Sequence, residues 1–150
     1  VQTSLNLGIL STIKPDGQST NGMVSFKSSV RSSIGSEKDA LLNSLKSLAT
    51  LAGGTLTVAG DYPAWEYRED SPLRDLMVKI FKQQYGKEPV IQALHAGVEC
   101  GIFASKLPGL DCVSFGPDMD DIHTTNESMN VESVRRTWEY TLEILKELKK

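Results

Sequence analysis

"PVIQALHAGVECGIFASKLPGLDCVSF", residues 89–115, reads as strand, helix, strand, and it decides the fold class. "PVIQAL" and "CVSF" are short apolar runs without polar alternation, the pattern of buried strands. Between them "HAGVECGIFASKLPG" has the length of a helix, with Val98, Ile102 and Phe103 facing inward. Working outward, Ser71 followed by Pro72 opens a second helix, whose Leu73, Leu76, Met77, Ile80 and Phe81 form one buried stripe up to Gly86. On the other side, "NVESVRRTWEYTLEILKELKK" (130–150) is a closing helix. Val134, Trp138, Leu142, Leu145 and Leu148 line its inner face, and lysines sit at the negative end of its dipole. Helix and strand alternate, which predicts part of a three-layer α/β domain.

The first 60 residues follow a different plan. In "GMVSFKSSV" (22–30), Val24, Phe26, Ser28 and Val30 share one face and Met23, Ser25, Lys27 and Ser29 the other. That period of two predicts a half-buried strand. It pairs with "VQTSLNLGILSTI" (1–13) across the turn formers of "KPDGQSTNG" (14–22), giving a hairpin. "SEKDALLNSLKSLATLAGG" (36–54) predicts a helix capped by Ser36 with Asp39, lined by Leu41, Leu45, Leu48 and Ala52, and ended by Gly53 and Gly54. "TLTVA" (55–59) then predicts a strand, so this region is a small α+β layer. "GDYPAWEYREDSP" (60–72) breaks the pattern with turn residues and a charge cluster. The domain boundary is placed there, dividing residues 1–60 from 61–150.

Composition narrows the function classes. The chain has 150 residues, 39% hydrophobic and 23% charged, with a net charge of −3. No basic stripe exists to neutralise phosphates, so neither nucleic acid nor an anionic membrane surface is expected as a partner. No apolar run approaches the roughly 18 residues of a membrane helix, and a cytoplasmic location is the default expectation. Cys100 and Cys112 lack CxxC spacing and are expected to be buried free thiols. Val1 begins inside a strand with no methionine before it, so the chain is expected to be a fragment of a longer protein.

Three places carry candidate chemistry. "GPDMDDIHTTNE" (116–127) combines His123 with Asp118, Asp120 and Asp121 between a short strand and a helix, where α/β folds place functional groups. Imidazole suits zinc, but four ligands of fixed spacing are not visible, and a solvated loop histidine explains the stretch equally. In "HAGVECG" (95–101), Gly97 and Gly101 bring backbone amides to a helix start, where they can approach an anion. The alternative is a tight strand-to-helix turn with local hydrogen bonds from His95 and Glu99. Arg31, at the end of the second strand, can grip a carboxylate bidentately or can simply be exposed.

Taken together, "SLNLG", "SSVRSS", "HAGVECGIFASKLPGLDCVSFGPDMDDIHTTNESMNVESV" and "RTWEYTLEILKEL" resemble the aminoacyl-histidine dipeptidases, a branch of a family of two-zinc amino- and carboxypeptidases. The specific part is the "HAG-x-ECG … SFGP … H-x-x-x-E" block. The resemblance implies a catalytic α/β domain holding two zinc ions, with a smaller lid domain inserted into it. Residues 1–60 then correspond to the second half of the lid and 61–150 to the C-terminal part of the catalytic domain. Because the lid carries the main dimer contact in such enzymes, a homodimer is implied. His123 matches a ligand of one zinc, Arg31 the lid arginine that holds the carboxylate end of a dipeptide, and Gly97 a glycine whose backbone positions the substrate. His95 and Glu99 match the same motif without an assigned role, and the three aspartates match no ligand position. The family's remaining zinc ligands and its general base lie in an N-terminal half whose motifs are absent here. The resemblance therefore implies a zinc-dependent dipeptidase acting on Xaa-His and related dipeptides, of which this chain alone is silent. A non-enzymatic dimerisation module and another two-zinc peptidase or deacylase are the alternatives.

Overall fold

The computed structural model describes residues 1–14, 22–95 and 99–150. In chain order its elements are β1 (Thr3–Ile13), β2 (Met23–Ser32), α1 (Gly35–Leu51), α2 (Pro72–Tyr85), α3 (Glu99–Lys106), β3 (Met119–Asp120), β4 (Ser128–Met129) and α4 (Val131–Leu148). The structure is mixed α/β, and it divides into two compact units. One comprises Val1–Tyr67 and Ala93–Pro108, the other Arg68–Gln92 and Gly109–Lys150.

In the first unit β1 and β2 pair antiparallel, as expected, with residues 15–21 of the intervening turn outside the described residues. Leu5 lies opposite Val30, Leu7 opposite Ser28, Leu10 opposite Phe26 and Thr12 opposite Val24. The register shifts between Leu7 and Ile9, leaving Gly8 as one extra residue. An extra residue reverses the alternation of every later side chain. Here it brings Leu10 onto the face already holding Leu5 and Leu7, and so gathers the apolar residues of both strands. The opposite face carries Ser4, Asn6, Ser11, Ser25, Lys27, Ser29 and Arg31, interrupted by Ile9, Ile13 and Met23. The expected half-burial of β2 is not found: Phe26 is 64% exposed, and Val24, Leu5, Leu7 and Leu10 are exposed with it. On that apolar face Val30, opposite Leu5, is half-buried.

Helix α1 starts one residue before the expected cap. Ser32 Oγ accepts the Ile34 N–H at 3.0 Å and Glu66 Oε1 accepts the Gly35 N–H at 2.9 Å, so these donors are satisfied from outside the Ser36–Asp39 pair. Its end matches expectation. Gly54 N–H donates to Ala49 O and Gly53 N–H to Thr50 O, with Gly53 at φ 72°, a left-handed closure that glycine adopts without strain. Of the residues lining α1, Leu41 and Leu45 are half-buried and Leu48 and Ala52 exposed, and none is fully buried. Helix α3 lies against residues 63–65. A Cβ at Gly101 would come 2.8 Å from Pro63 O and 3.5 Å from Trp65 Cβ, so only glycine permits this approach. Ile102 and Phe103 are exposed rather than inward, and Val98 lies outside the described residues.

The second unit is built on α2 and α4. Ser71 Oγ accepts the Arg74 N–H at 3.2 Å, Pro72 stands first in the helix, and Gly86 ends it at φ 66°. Met77 and Ile80 are buried, with Leu73, Leu76 and Phe81 packed around them, as the α2 stripe requires. From α4 the buried partners are Tyr140 and Ile144. Phe81 and Phe115 meet the Tyr140 ring edge-on at 5.7 and 5.4 Å between centroids, and Tyr140 Oη donates to Met77 O at 2.7 Å. Burial, aided by the neighbouring Tyr85, pushes the Tyr140 phenol above its ordinary range. The expected inner face of α4 is thus corrected. Trp138 is 62% exposed, with Val134, Leu142, Leu145 and Leu148 also exposed, because the aromatic surface of α2 selects the adjoining Tyr140 stripe.

The apolar runs 55–59, 89–94 and 112–115 are not in strands. A ladder needs a neighbour about 4.8 Å away, and the described residues supply none for these segments. Among the described residues the ladders are the β1–β2 hairpin and the two-residue pair β3–β4.

Candidate functional site

His123 sits in a loop that α4 holds at its base. Asp118 N–H donates to the buried Ser133 Oγ at 2.9 Å, Asn130 N–H donates to Asp118 O at 3.0 Å, and Arg136 Nη2 reaches Asp118 Oδ2 at 2.9 Å. Asn130 also caps α4, its side chain accepting the Ser133 N–H at 3.0 Å. The β3–β4 pair follows directly, with Met119 opposite Met129 and Asp120 opposite Ser128. A thirteen-residue excursion, 118–130, is therefore closed at both ends.

Within it the chain turns sharply. Asp121 and His123 adopt left-handed conformations, φ 52° and 68°. Asp121 O accepts from Thr124 N–H at 3.1 Å and from Thr124 Oγ1 at 2.8 Å, and Glu127 N–H donates to Thr124 O. The His123 N–H donates to Glu127 Oε2 at 2.7 Å. Left-handed backbone costs an L-residue roughly 1–2 kcal/mol, and a hydrogen bond to a charged acceptor contributes about 1.5–3 kcal/mol. In an exposed loop the lower end applies, so the Glu127 bond is of the size needed to hold His123 in this conformation.

The segment leading to the loop is anchored as well. Asp111 Oδ1 accepts from Ser71 Oγ at 2.7 Å and Oδ2 from the Leu73 N–H at 2.9 Å, tying residue 111 to the first turn of α2. Burial works to raise the Asp111 pKa. The Ser71 and Leu73 hydrogen bonds, with the positive fields of Arg68 and Arg74, outweigh it and hold the carboxyl below its ordinary value.

The expected site residues fall in different parts of the molecule. His123 is exposed in the second unit, whereas Arg31 is exposed on the polar face of β2 in the first, opposite Ser4. Gly97 lies outside the described residues. His95 is half-buried, and Glu99 is exposed in the first turn of α3. Asp118 acts as a clamp for the loop and Asp121 through its carbonyl. Cys100 and Cys112 are half-buried rather than buried. Among the described residues no three His, Cys, Asp or Glu side chains come together as a metal site. The described residues do not complete a metal centre around His123. The sequence shows Glu127 within the H-x-x-x-E block and Asp118 within the acidic stretch, but not the roles they take here, and Ser133 and Asp111 are not singled out in it. The signals available were the His-x-x-x-Glu spacing and the Asn-x-x-Ser cap.

Residues 7–147 match the family model of peptidase family M20/M25/M40, and the chain belongs to that family. It is 36% identical over 148 residues to the cytosol non-specific dipeptidase of Escherichia coli (strain K12), covering 99% of this chain and 29% of that protein. The crystal structure of aminoacylhistidine dipeptidase from Vibrio alginolyticus superposes with a TM-score of 0.78 at 33% identity, covering 97% of this chain and 28% of the other. The fold is shared also with the aminopeptidase PepT from Bacillus cereus, TM-score 0.74 at 22% identity, over 99% of this chain and 40% of that one. The chain thus spans less than a third of the length of the two dipeptidases it matches.

Proposed function

We propose that this chain is the C-terminal part of a zinc-dependent dipeptidase acting on Xaa-His and related dipeptides, and that the chain alone is inactive. The observation that carries this reading is the combination of a family match over residues 7–147 with a structurally held, exposed His123 that lacks companion ligands among the described residues. Zinc in a two-metal hydrolase polarises the scissile carbonyl and lowers the pKa of water. This chain contributes His123 as one ligand, Arg31 as the grip on the substrate's terminal carboxylate, and the Gly97 backbone as a positioning element. Holding the carboxylate at a fixed distance from the chemistry selects dipeptides over longer peptides. Residues 1–60 serve as the second half of a lid and 61–150 as part of the catalytic domain. The other ligands and the general base come from the N-terminal half of the same protein. A homodimer through the lid and a cytosolic location accord with this reading.

In the complete enzyme, Arg31→Ala is expected to raise KM on the order of tenfold or more, from the loss of a charge-assisted pair. His123→Ala is expected to lower bound zinc and kcat together. Steady-state kinetics with metal analysis check both, and unchanged parameters would remove the assignments.

The second reading, a dimerisation or interaction module, is favoured by the exposed apolar face of the hairpin. Sedimentation of the isolated chain with and without its N-terminal half separates the two: a stable, zinc-free dimer that stays zinc-free and inactive when the N-terminal half is present supports the module. A broader peptidase specificity is favoured by the name of the Escherichia coli relative, a non-specific dipeptidase.

A further inference from the structure

We infer that Glu127 is a positioning residue for His123, acting on its backbone rather than on its ring. This deepens the metal-ligand reading of His123 and rests on it. Carboxylates near metal-binding histidines commonly orient the imidazole by accepting its free ring N–H. Here the carboxylate instead accepts the main-chain N–H, at 2.7 Å, of a residue held at φ 68°. Left-handed and right-handed backbones send Cβ in different directions, so the φ of residue 123 decides where its imidazole points.

The surroundings make Glu127 the adjustable part of this arrangement. Asp118, Asn130, Ser133 and Arg136 close the base of the loop, and Thr124 closes its inner turn through Asp121 O and Glu127 N. None of these bonds involves His123. Among the hydrogen bonds found for the described residues, the Glu127 carboxylate is the link that fixes the histidine itself. The four-residue spacing lets a glutamate side chain fold back across the turn. An aspartate is one methylene shorter.

The test compares Glu127→Ala, Glu127→Asp and Glu127→Gln with the parent sequence in the full 150-residue chain, by residue-resolved amide hydrogen exchange without metal. Glu127→Ala and Glu127→Asp are expected to speed exchange at the His123 amide about tenfold or more, while the amides of Ile80 and Tyr140 stay unchanged. Glu127→Gln, which keeps reach and an acceptor oxygen, is expected to restore most of the protection. An unprotected His123 amide in the parent chain, or one that Glu127→Ala leaves unmoved, overturns the proposal. In the complete enzyme, Glu127→Ala is expected to weaken zinc retention by roughly 10–100-fold, the usual effect of removing a supporting shell, with KM unchanged and with rescue by Glu127→Gln. Faster exchange with unaltered zinc retention overturns the functional half of the proposal. Because the exchange measurement needs no metal, failure of the His123 metal assignment is read separately, from the zinc content of His123→Ala.

Discussion

The two units of this chain are stabilised in contrasting ways. In the α2–α4 unit, Met77, Ile80, Tyr140 and Ile144 form a buried cluster, with Ile80 only 2% exposed and aromatic rings around it. Among the described residues of the hairpin unit, the buried side chains are Ser32 and Ser33, and the apolar residues of both strands are exposed except the half-buried Val30. One unit has an interior of its own. The other is held by a backbone ladder and by polar links such as Thr3–Ser32 at 2.8 Å and Lys38–Asp61 at 2.6 Å. Isolated two-stranded ladders are marginal in water, and exposed contiguous apolar faces mark places where other polypeptide belongs. The difference teaches that the two proposed site residues are held unequally. His123 stands on the self-supporting unit, and Arg31 on the one whose apolar face is bare.

Ring truncation gives the largest test of this contrast. Tyr140→Ala is expected to destabilise the α2–α4 unit by roughly 3–5 kcal/mol, whereas Phe26→Ala, at an exposed position, is expected to change stability by about 0.5 kcal/mol or less. Denaturant unfolding read at each unit checks both. Equal losses would erase the distinction. An effect smaller than that of Tyr140→Ala is expected at Asp111, where Asp111→Asn removes the charge that accepts from Ser71 and Leu73 at the start of α2 and is expected to cost about 1 kcal/mol. Its pH dependence has a definite sign. The folded pKa lies below the unfolded value, so the contribution is complete above the unfolded carboxylate pKa of about 3.9 and is lost as pH falls through the folded pKa. Acid titration of stability should therefore be flatter in Asp111→Asn, and parallel curves would show that the carboxylate contributes nothing.

Parts of this organisation were legible in the residues. Ser71–Pro72 and Gly86 marked α2 because capping and left-handed closure are local chemistry, and the α2 stripe was right for the same reason. Helix α4 was legible as a helix but not in its orientation. It carries two apolar stripes, and only the ring surface of α2 decides that Tyr140 rather than Trp138 turns inward. The hairpin was visible from its period of two, yet the shift at Gly8 was not, since a bulge breaks that period without changing composition. Runs 55–59, 89–94 and 112–115 had the apolarity of strands, but pairing is a property of neighbours. At the site, His123, its loop and the H-x-x-x-E spacing were legible, while the bond from Glu127 to the His123 backbone N–H was not, because it depends on a turn that no periodicity announces.

The central claim is that a peptidase-family chain carrying His123 and Arg31 cannot catalyse without the rest of the site. The most direct measurement is hydrolysis of a histidine-ending dipeptide by the purified 150-residue chain with added zinc. The expected result is no metal-dependent turnover above the buffer rate. Zinc-dependent hydrolysis that a chelator abolishes would contradict it.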